Sequence, residues 1–129
     1  MKSQLTFVLL VCYSLFGYAN EIRTISQQQL LSMQHAPKAP EFIILDVRSN
    51  EEFKAGHING ALNISHDTIE QHLDKLSGYQ DKTVIVHCRS GRRAEIAEAT
   101  LQAKGFTQLK HLTGDYQGWV NADLPLVKE

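Results

Sequence analysis

The sequence is short of cysteine and has no surplus of basic residues. Lysine and arginine number 13 against 14 aspartates and glutamates, so the composition does not favour a nucleic-acid-binding protein. Internal repeats, low-complexity tracts and interdomain linkers are also missing. A chain of 129 residues is long enough for one hydrophobic core and too short for two, so the sequence predicts one domain.

The N-terminus carries a short apolar run at residues 5–16, with Lys2 before it and the small residues Gly17 and Ala19 after it. This arrangement is typical of a secretory signal peptide cleaved after Ala19, and the run is shorter than the roughly 20 residues needed to span a bilayer. The sequence therefore predicts a signal peptide at residues 1–19, a mature domain at 20–129, and a periplasmic protein with no stable membrane anchor after cleavage.

Cysteine occurs only at positions 12 and 88, so removal of the leader would leave Cys88 unpaired. An unpaired cysteine in an exported protein indicates either an intermolecular partner or a reactive thiol.

The mature chain alternates strand-like and helical patterns. Short apolar runs at residues 42–45 and 83–87 predict strands covered on both faces, and residues 109–112 predict a further strand. Helices are expected after Ser26, where Gln29 completes a capping box, behind Asp67, and over the alanine-rich segment before Gly105. Residues 116–120 predict a last helical turn. Strands separated by helices predict an α/β fold in three layers, a mostly parallel sheet with helices on both faces.

A single thiol lies beside three arginines in the stretch Cys88-Arg89-Ser90-Gly91-Arg92-Arg93, between a predicted strand and a predicted helix. Ligand sites in parallel sheets lie at the carboxyl ends of strands. Gly91 allows backbone amides to turn inward around an anion, and the helix N-terminus and the arginines favour a thiolate there. The pattern predicts Cys88 as nucleophile and Arg89, Ser90, Gly91, Arg92 and Arg93 as the substrate-binding loop. The alternative is a buried structural cysteine beside solvated arginines.

This loop resembles the active-site loop of the rhodanese family of sulfurtransferases, in which four residues separate the cysteine from an arginine. Residues 46–64, DVRSNEEFKAGHINGALNI, are similar to the first signature of that family, and residues 112–126, LTGDYQGWVNADLPL, resemble its closing signature. Two positions depart from the family pattern: Asp115 stands where many members have glycine, and Ala94 where many have serine.

The resemblance implies a rhodanese-like fold and a thiosulfate sulfurtransferase that needs no cofactor. Cys88 would take the outer sulfur of thiosulfate or a similar donor as a persulfide and pass it to cyanide or a thiol acceptor. Asp46 and Arg48 are expected to support the loop, and Arg93 either to contact the anion or to form a salt bridge, for which Asp46 is a candidate partner.

Other polar residues are given structural roles. The six histidines lack zinc-ligand spacing, so no metal is predicted, and Glu95 and Glu98 are assigned to the solvated face of their helix. No partner beyond a small anionic sulfur donor and a thiophilic acceptor is expected, and a monomer is predicted.

Two other functions remain open. Phosphatases and arsenate reductases of the same fold also use a cysteine and a terminal arginine, but their loop has one more residue, which makes room for a tetrahedral phosphate. The other candidate is a sulfur-carrying or regulatory rhodanese module without turnover.

Overall fold

A five-stranded parallel sheet organises the part of the chain that the computed structural model describes, residues 21–36 and 41–129. The strands are β1 (Arg23–Ile25), β2 (Phe42–Asp46), β3 (Leu62–Asn63), β4 (Thr83–His87) and β5 (Leu109–Leu112), in the order β1-β5-β4-β2-β3. The helices are α1 (Gln27–His35), α2 (Asn50–Ala55), α3 (Arg92–Ala103) and α4 (Asp115–Asn121), with a 3-10 helix at Glu70–Leu76. The predicted α/β fold with a parallel sheet is confirmed.

The two faces of the sheet are covered by separate apolar clusters. Along β4, Val84 and Val86 belong to one cluster and Ile85 to the other, because successive side chains of a strand point to opposite faces. Cys88 packs in the first cluster, whereas Trp119 of α4 is buried in the second. Both faces of the central strands are therefore buried from solvent, which explains their continuous apolar runs.

Capping residues fix the starts of two helices. Ser26 and Gln29 form the predicted capping box of α1. A second box, formed by Ser49 and Glu52, begins α2, which the sequence analysis did not predict although the same spacing marks it.

The helix predicted behind Asp67 has a different geometry. The segment Glu70–Leu76 is a 3-10 helix with a non-helical backbone at His72. Asp67 does not cap it, because its carboxylate accepts a hydrogen bond from the Ser65 hydroxyl at 2.8 Å. This prediction was wrong in detail, although Ile69 and Leu76 are buried as the spacing indicated.

The predicted signal peptide lies outside the described residues, so export and the periplasmic location stay predictions. Among the residues that are described, none of the helices has the length and apolar character needed to cross a bilayer.

Candidate active site

The Cys88 thiol lies at the junction of β4 and α3. Its side chain is buried, and its Sγ accepts a hydrogen bond from the backbone N–H of Gly91 at 3.0 Å. Gly91 occupies the N-cap position of α3 with φ of 119°, a conformation that L side chains rarely adopt. The loop can therefore turn its amide towards the sulfur just where the helix N-terminus contributes partial positive charge. This arrangement stabilises a negative charge on sulfur.

The first amides of α4 hold the loop from the other side. Tyr116 donates its backbone N–H to the carbonyl of Cys88, and Gln117 donates to the carbonyl of Arg89, both at 3.0 Å. The loop carbonyls are thus occupied by protein donors, and the loop is fixed independently of any substrate.

A buried ion pair lies beside the loop. Arg48 binds the Asp46 carboxylate through Nε and Nη2, the latter at 2.7 Å, and donates to the Gly56 carbonyl at 2.8 Å. The guanidinium also stacks on the Tyr116 ring, 3.7 Å from its centroid. Because Tyr116 binds the Cys88 carbonyl, the ion pair is connected to the nucleophile through one residue.

His87 separates this ion pair from the cysteine. Its Nδ1 lies 3.0 Å from the Cys88 carbonyl oxygen, which can only accept, so Nδ1 carries the proton. Burial lowers the pKa of His87, although the negative charge of Asp46 opposes this effect. Its Nε2 has no hydrogen-bond partner in the described chain and lies 3.7 Å from Asp46 Oδ2. A neutral His87 fits this arrangement.

Arg93 forms a salt bridge with Glu52, and the suggestion that Asp46 is its partner was wrong. Its two terminal nitrogens lie 2.6 and 3.1 Å from the two carboxylate oxygens of Glu52. Asp46 is already occupied by Arg48, two residues further along the chain. The Arg93 guanidinium lowers the pKa of Glu52 to about 2, so the carboxylate stays charged at any physiological pH. This bridge joins the start of α3 to the start of α2.

The remaining polar side chains of the loop face solvent. Arg89, Ser90 and Arg92 are exposed, and the structure gives none of these side chains a hydrogen bond or ion pair with the described residues. Two cationic groups beside the thiol are therefore available for an anionic ligand.

A second charged cluster, absent from the sequence predictions, lies behind the loop. His111 of β5 contacts the Glu98 carboxylate through Nδ1 at 2.9 Å and Asp115 Oδ2 through Nε2 at 3.0 Å. The other Asp115 oxygen accepts the backbone N–H of Cys88 at 3.0 Å. The assignment of Glu98 to a solvated helix face was wrong, since only 4% of this residue is exposed. Hydrogen bonds to Asp115 and Glu98 raise the pKa of His111 to about 10, so the imidazole is a cation.

The described residues contain no group of three or more histidine, cysteine, aspartate or glutamate side chains arranged to hold a metal ion. The functional groups at this site are the Cys88 thiol, backbone amides and guanidinium groups.

A family model described as a rhodanese-like domain matches residues 26–122 of the chain. A rhodanese-related protein from Thermoplasma volcanium superposes with a TM-score of 0.70 and 27% identity, over 83% of this chain and 99% of that one. A thiosulfate sulfurtransferase from Pseudomonas aeruginosa gives a TM-score of 0.75 at 23% identity, a likeness of fold, over 84% of this chain and 20% of that one.

Two tRNA uridine(34) hydroxylases that match the chain are much longer than it. A tRNA uridine(34) hydroxylase from Wigglesworthia glossinidia brevipalpis is 35% identical over 85 residues, which are 63% of this chain and 27% of that protein. The protein of the same name from Escherichia coli K12 is 32% identical over 79 residues, 58% of this chain and 23% of that protein. The chain thus spans about a quarter of the length of these relatives, so their whole activity does not transfer to it.

Proposed function

We propose, from the premise that this chain belongs to the rhodanese-like domain family, that it is a sulfurtransferase that uses thiosulfate or a similar small anion as its sulfur donor. The observation that carries this proposal is the buried Cys88 sulfur, which accepts a hydrogen bond from the Gly91 amide at the N-terminus of α3. Two arginines of the same loop, Arg89 and Arg92, are exposed and have no ion pair with the described residues. Such a site combines a nucleophile with groups that bind an anion and stabilise the charge formed during reaction.

The first step is attack of the Cys88 thiolate on the outer sulfur of thiosulfate. The bond between the two donor sulfurs breaks, its electron pair leaves with sulfite, and Cys88 becomes a persulfide anion. The thiolate and thiosulfate carry three negative charges together, as do the persulfide and sulfite, so no external oxidant or proton is needed. The Gly91 amide and the α3 N-terminus stabilise the charge on the sulfur, and Arg89 and Arg92 would hold the departing sulfite group.

In the second step cyanide or a thiolate acceptor attacks the terminal sulfur of the persulfide. The sulfur–sulfur bond breaks, its electrons return to Cys88, and thiocyanate or a new persulfide leaves. The chain needs no cofactor for either step, because the sulfur changes carrier without a net redox change in the protein.

The salt bridge of Arg93 disfavours phosphate chemistry at this loop. A phosphatase of this fold uses the terminal arginine of a loop that is one residue longer to bind the phosphate. Here four residues intervene, and Glu52 engages both terminal nitrogens of Arg93. Arg93 is therefore already paired beside Cys88, which favours a structural role for it over binding of phosphate.

Intact mass spectrometry of the wild-type protein tests the proposal. We expect incubation with thiosulfate to add one sulfur atom, peptide mapping to place it on Cys88, and cyanide to remove it with formation of thiocyanate. Sulfite and sulfate, which lack an outer sulfur, are the matched control ligands and should add nothing. Absence of both the added sulfur and thiocyanate would overturn the assignment of thiosulfate as donor.

Neutralising either exposed arginine should weaken donor binding. We expect Arg89→Gln and Arg92→Gln each to lower kcat/KM for thiosulfate by about 10- to 100-fold, mainly through KM, since a charge-assisted hydrogen bond contributes about 1.5–3 kcal/mol. Arg23→Gln is the control. Arg23 is also exposed, but it lies at the start of β1, at the edge of the parallel sheet opposite to the cysteine loop. Steady-state kinetics at several thiosulfate concentrations separate KM from kcat. Equal KM values in all four proteins would contradict anion binding by these arginines.

A further inference from the structure

The cluster formed by Glu98, His111 and Asp115 touches the cysteine loop at two points. Asp115 Oδ1 accepts the N–H of Cys88, the residue that bears the thiol. A side-chain carbon added at Gly91 would lie 3.3 Å from Asp115 Oδ2 and 3.9 Å from His111 Nε2, so the cluster also packs against the residue that donates to the sulfur. The Asp115 carboxylate therefore binds the Cys88 amide and lies beside Gly91.

The backbone at Asp115 indicates that its side chain is held in place. Its φ is 53°, in the left-handed region, and the residue is buried. Strain of this kind persists where surrounding contacts determine it, and it is frequent at functional sites. Glycine would adopt this backbone freely, whereas aspartate adopts it at a cost in strain. The hydrogen bonds of its carboxylate to Cys88 and His111 offset that strain.

We propose that Asp115 is a positioning residue for Cys88: its carboxylate, held by His111 and Glu98, fixes the cysteine amide and sets the local charge in which the thiol ionises. The inference rests on the proposed function in that Cys88 is the nucleophile, and it adds a residue that acts on the nucleophile without touching the donor. The three ionised side chains carry one net negative charge.

The charges around the thiol come from several elements and must be considered together. From β4, His87 is neutral and buried, and from β2, Asp46 is neutralised by Arg48. From α3, Arg93 is paired with Glu52 and also lies within hydrogen-bonding reach of the Cys88 thiol. Arg89 and Arg92 are exposed to solvent, which screens them, and Glu95 lies exposed on α3. The cluster of Glu98, His111 and Asp115 therefore places a net negative charge next to the Cys88 amide, because one imidazolium faces two carboxylates.

Two variants of the cluster change its charge in opposite directions. Asp115→Gly removes a negative charge and adds no competing donor, while Glu98 still pairs with His111 Nδ1, so the thiolate is favoured. His111→Gln removes the positive charge and leaves two carboxylates, so the thiolate is disfavoured. A unit charge roughly 6–12 Å away at an effective dielectric constant of about 20 shifts an ionisation by about one to two pH units.

The experiment measures how fast iodoacetamide alkylates Cys88 in the full chain across pH 4–10. This range covers most of the pKa values that cysteine thiols have in proteins, roughly 3.5–8.5. Peptide mapping separates Cys88 from Cys12. We expect the midpoint of the alkylation profile to move to lower pH in Asp115→Gly and to higher pH in His111→Gln, by about one to two pH units each. We also expect kcat for thiosulfate to fall about 10-fold in both variants with little change in KM, because a loosened cysteine amide disturbs the nucleophile and leaves Arg89 and Arg92 in place.

Asp123→Gly is the matched control. Asp123 has a φ of 57°, close to that of Asp115, but it is exposed and its side chain has no hydrogen bond in the described part of the chain. The alkylation profile of this variant should match that of the wild type. If Asp115→Gly does not fold, as judged by circular dichroism, Glu98→Gln takes its place with a smaller shift in the same direction.

The outcomes separate this inference from the proposed function. Opposite shifts of the two profiles support it even if thiosulfate proves not to be the donor, because alkylation needs no donor. Unshifted profiles, with or without a loss of kcat, would overturn it and leave the cluster a purely structural one. Absence of thiosulfate turnover in the wild type would count against the proposed function alone.

Discussion

Cys88→Ser is expected to lower thiosulfate turnover by at least about 1,000-fold, and the variant should gain no sulfur in intact mass spectra. A serine hydroxyl is not ionised near neutral pH, so it cannot attack the donor. The hydroxyl is close to the thiol in shape and can still accept the Gly91 N–H that now reaches the sulfur at 3.0 Å. The loss should therefore arise in chemistry, with KM for the residual activity and the fold preserved.

The measurement is thiocyanate formation together with the midpoint of thermal unfolding. Cys12→Ser serves as the control for a thiol outside the described residues, and it should load and release sulfur like the wild type. Turnover by Cys88→Ser within about 10-fold of the wild type would contradict a persulfide on Cys88, since a removed nucleophile costs far more than that.

The sequence was sufficient to predict the cysteine loop and the sheet that carries it. Residues 83–87 form a continuous apolar run because both faces of β4 are buried. The loop from Cys88 to Arg93 is six consecutive residues, so its pattern can be recognised without knowledge of the fold. The strands β1 and β3 were missed because they have three and two residues, too few to show a pattern. Their pairing depends on longer neighbours.

The cluster behind the loop shows where sequence reasoning reached its limit. Glu98 follows Ala94 by four residues and precedes Leu101 by three, so helical spacing already places it on the buried face of α3. That signal was available and was overlooked. Its partner could not be predicted, because His111 lies 13 residues away on a strand that only the folded sheet brings beside α3. The same holds for Arg93 and Glu52, which are 41 residues apart.

Asp46→Asn is expected to destabilise the protein by about 3–5 kcal/mol, the usual cost of leaving one member of a buried ion pair without its partner. Asp46 is fully buried and Arg48 is 3% exposed, so the uncompensated guanidinium cannot reach water. The amide of asparagine keeps the shape of the carboxylate but not its charge. The hydrogen bond from Arg48 to the Gly56 carbonyl remains, so some native structure should persist.

Urea unfolding of Asp46→Asn beside Glu41→Gln measures this difference. Glu41 and Lys82 form an ion pair on the surface, with 65% and 39% of their side chains exposed, so breaking it should change the free energy of unfolding far less. Replacing both buried partners, in Asp46→Leu with Arg48→Met, should recover much of the loss because no isolated charge remains. Similar small losses in Asp46→Asn and Glu41→Gln would show that water reaches Arg48. The ion pair would then not support Tyr116 and, through it, the carbonyl of Cys88.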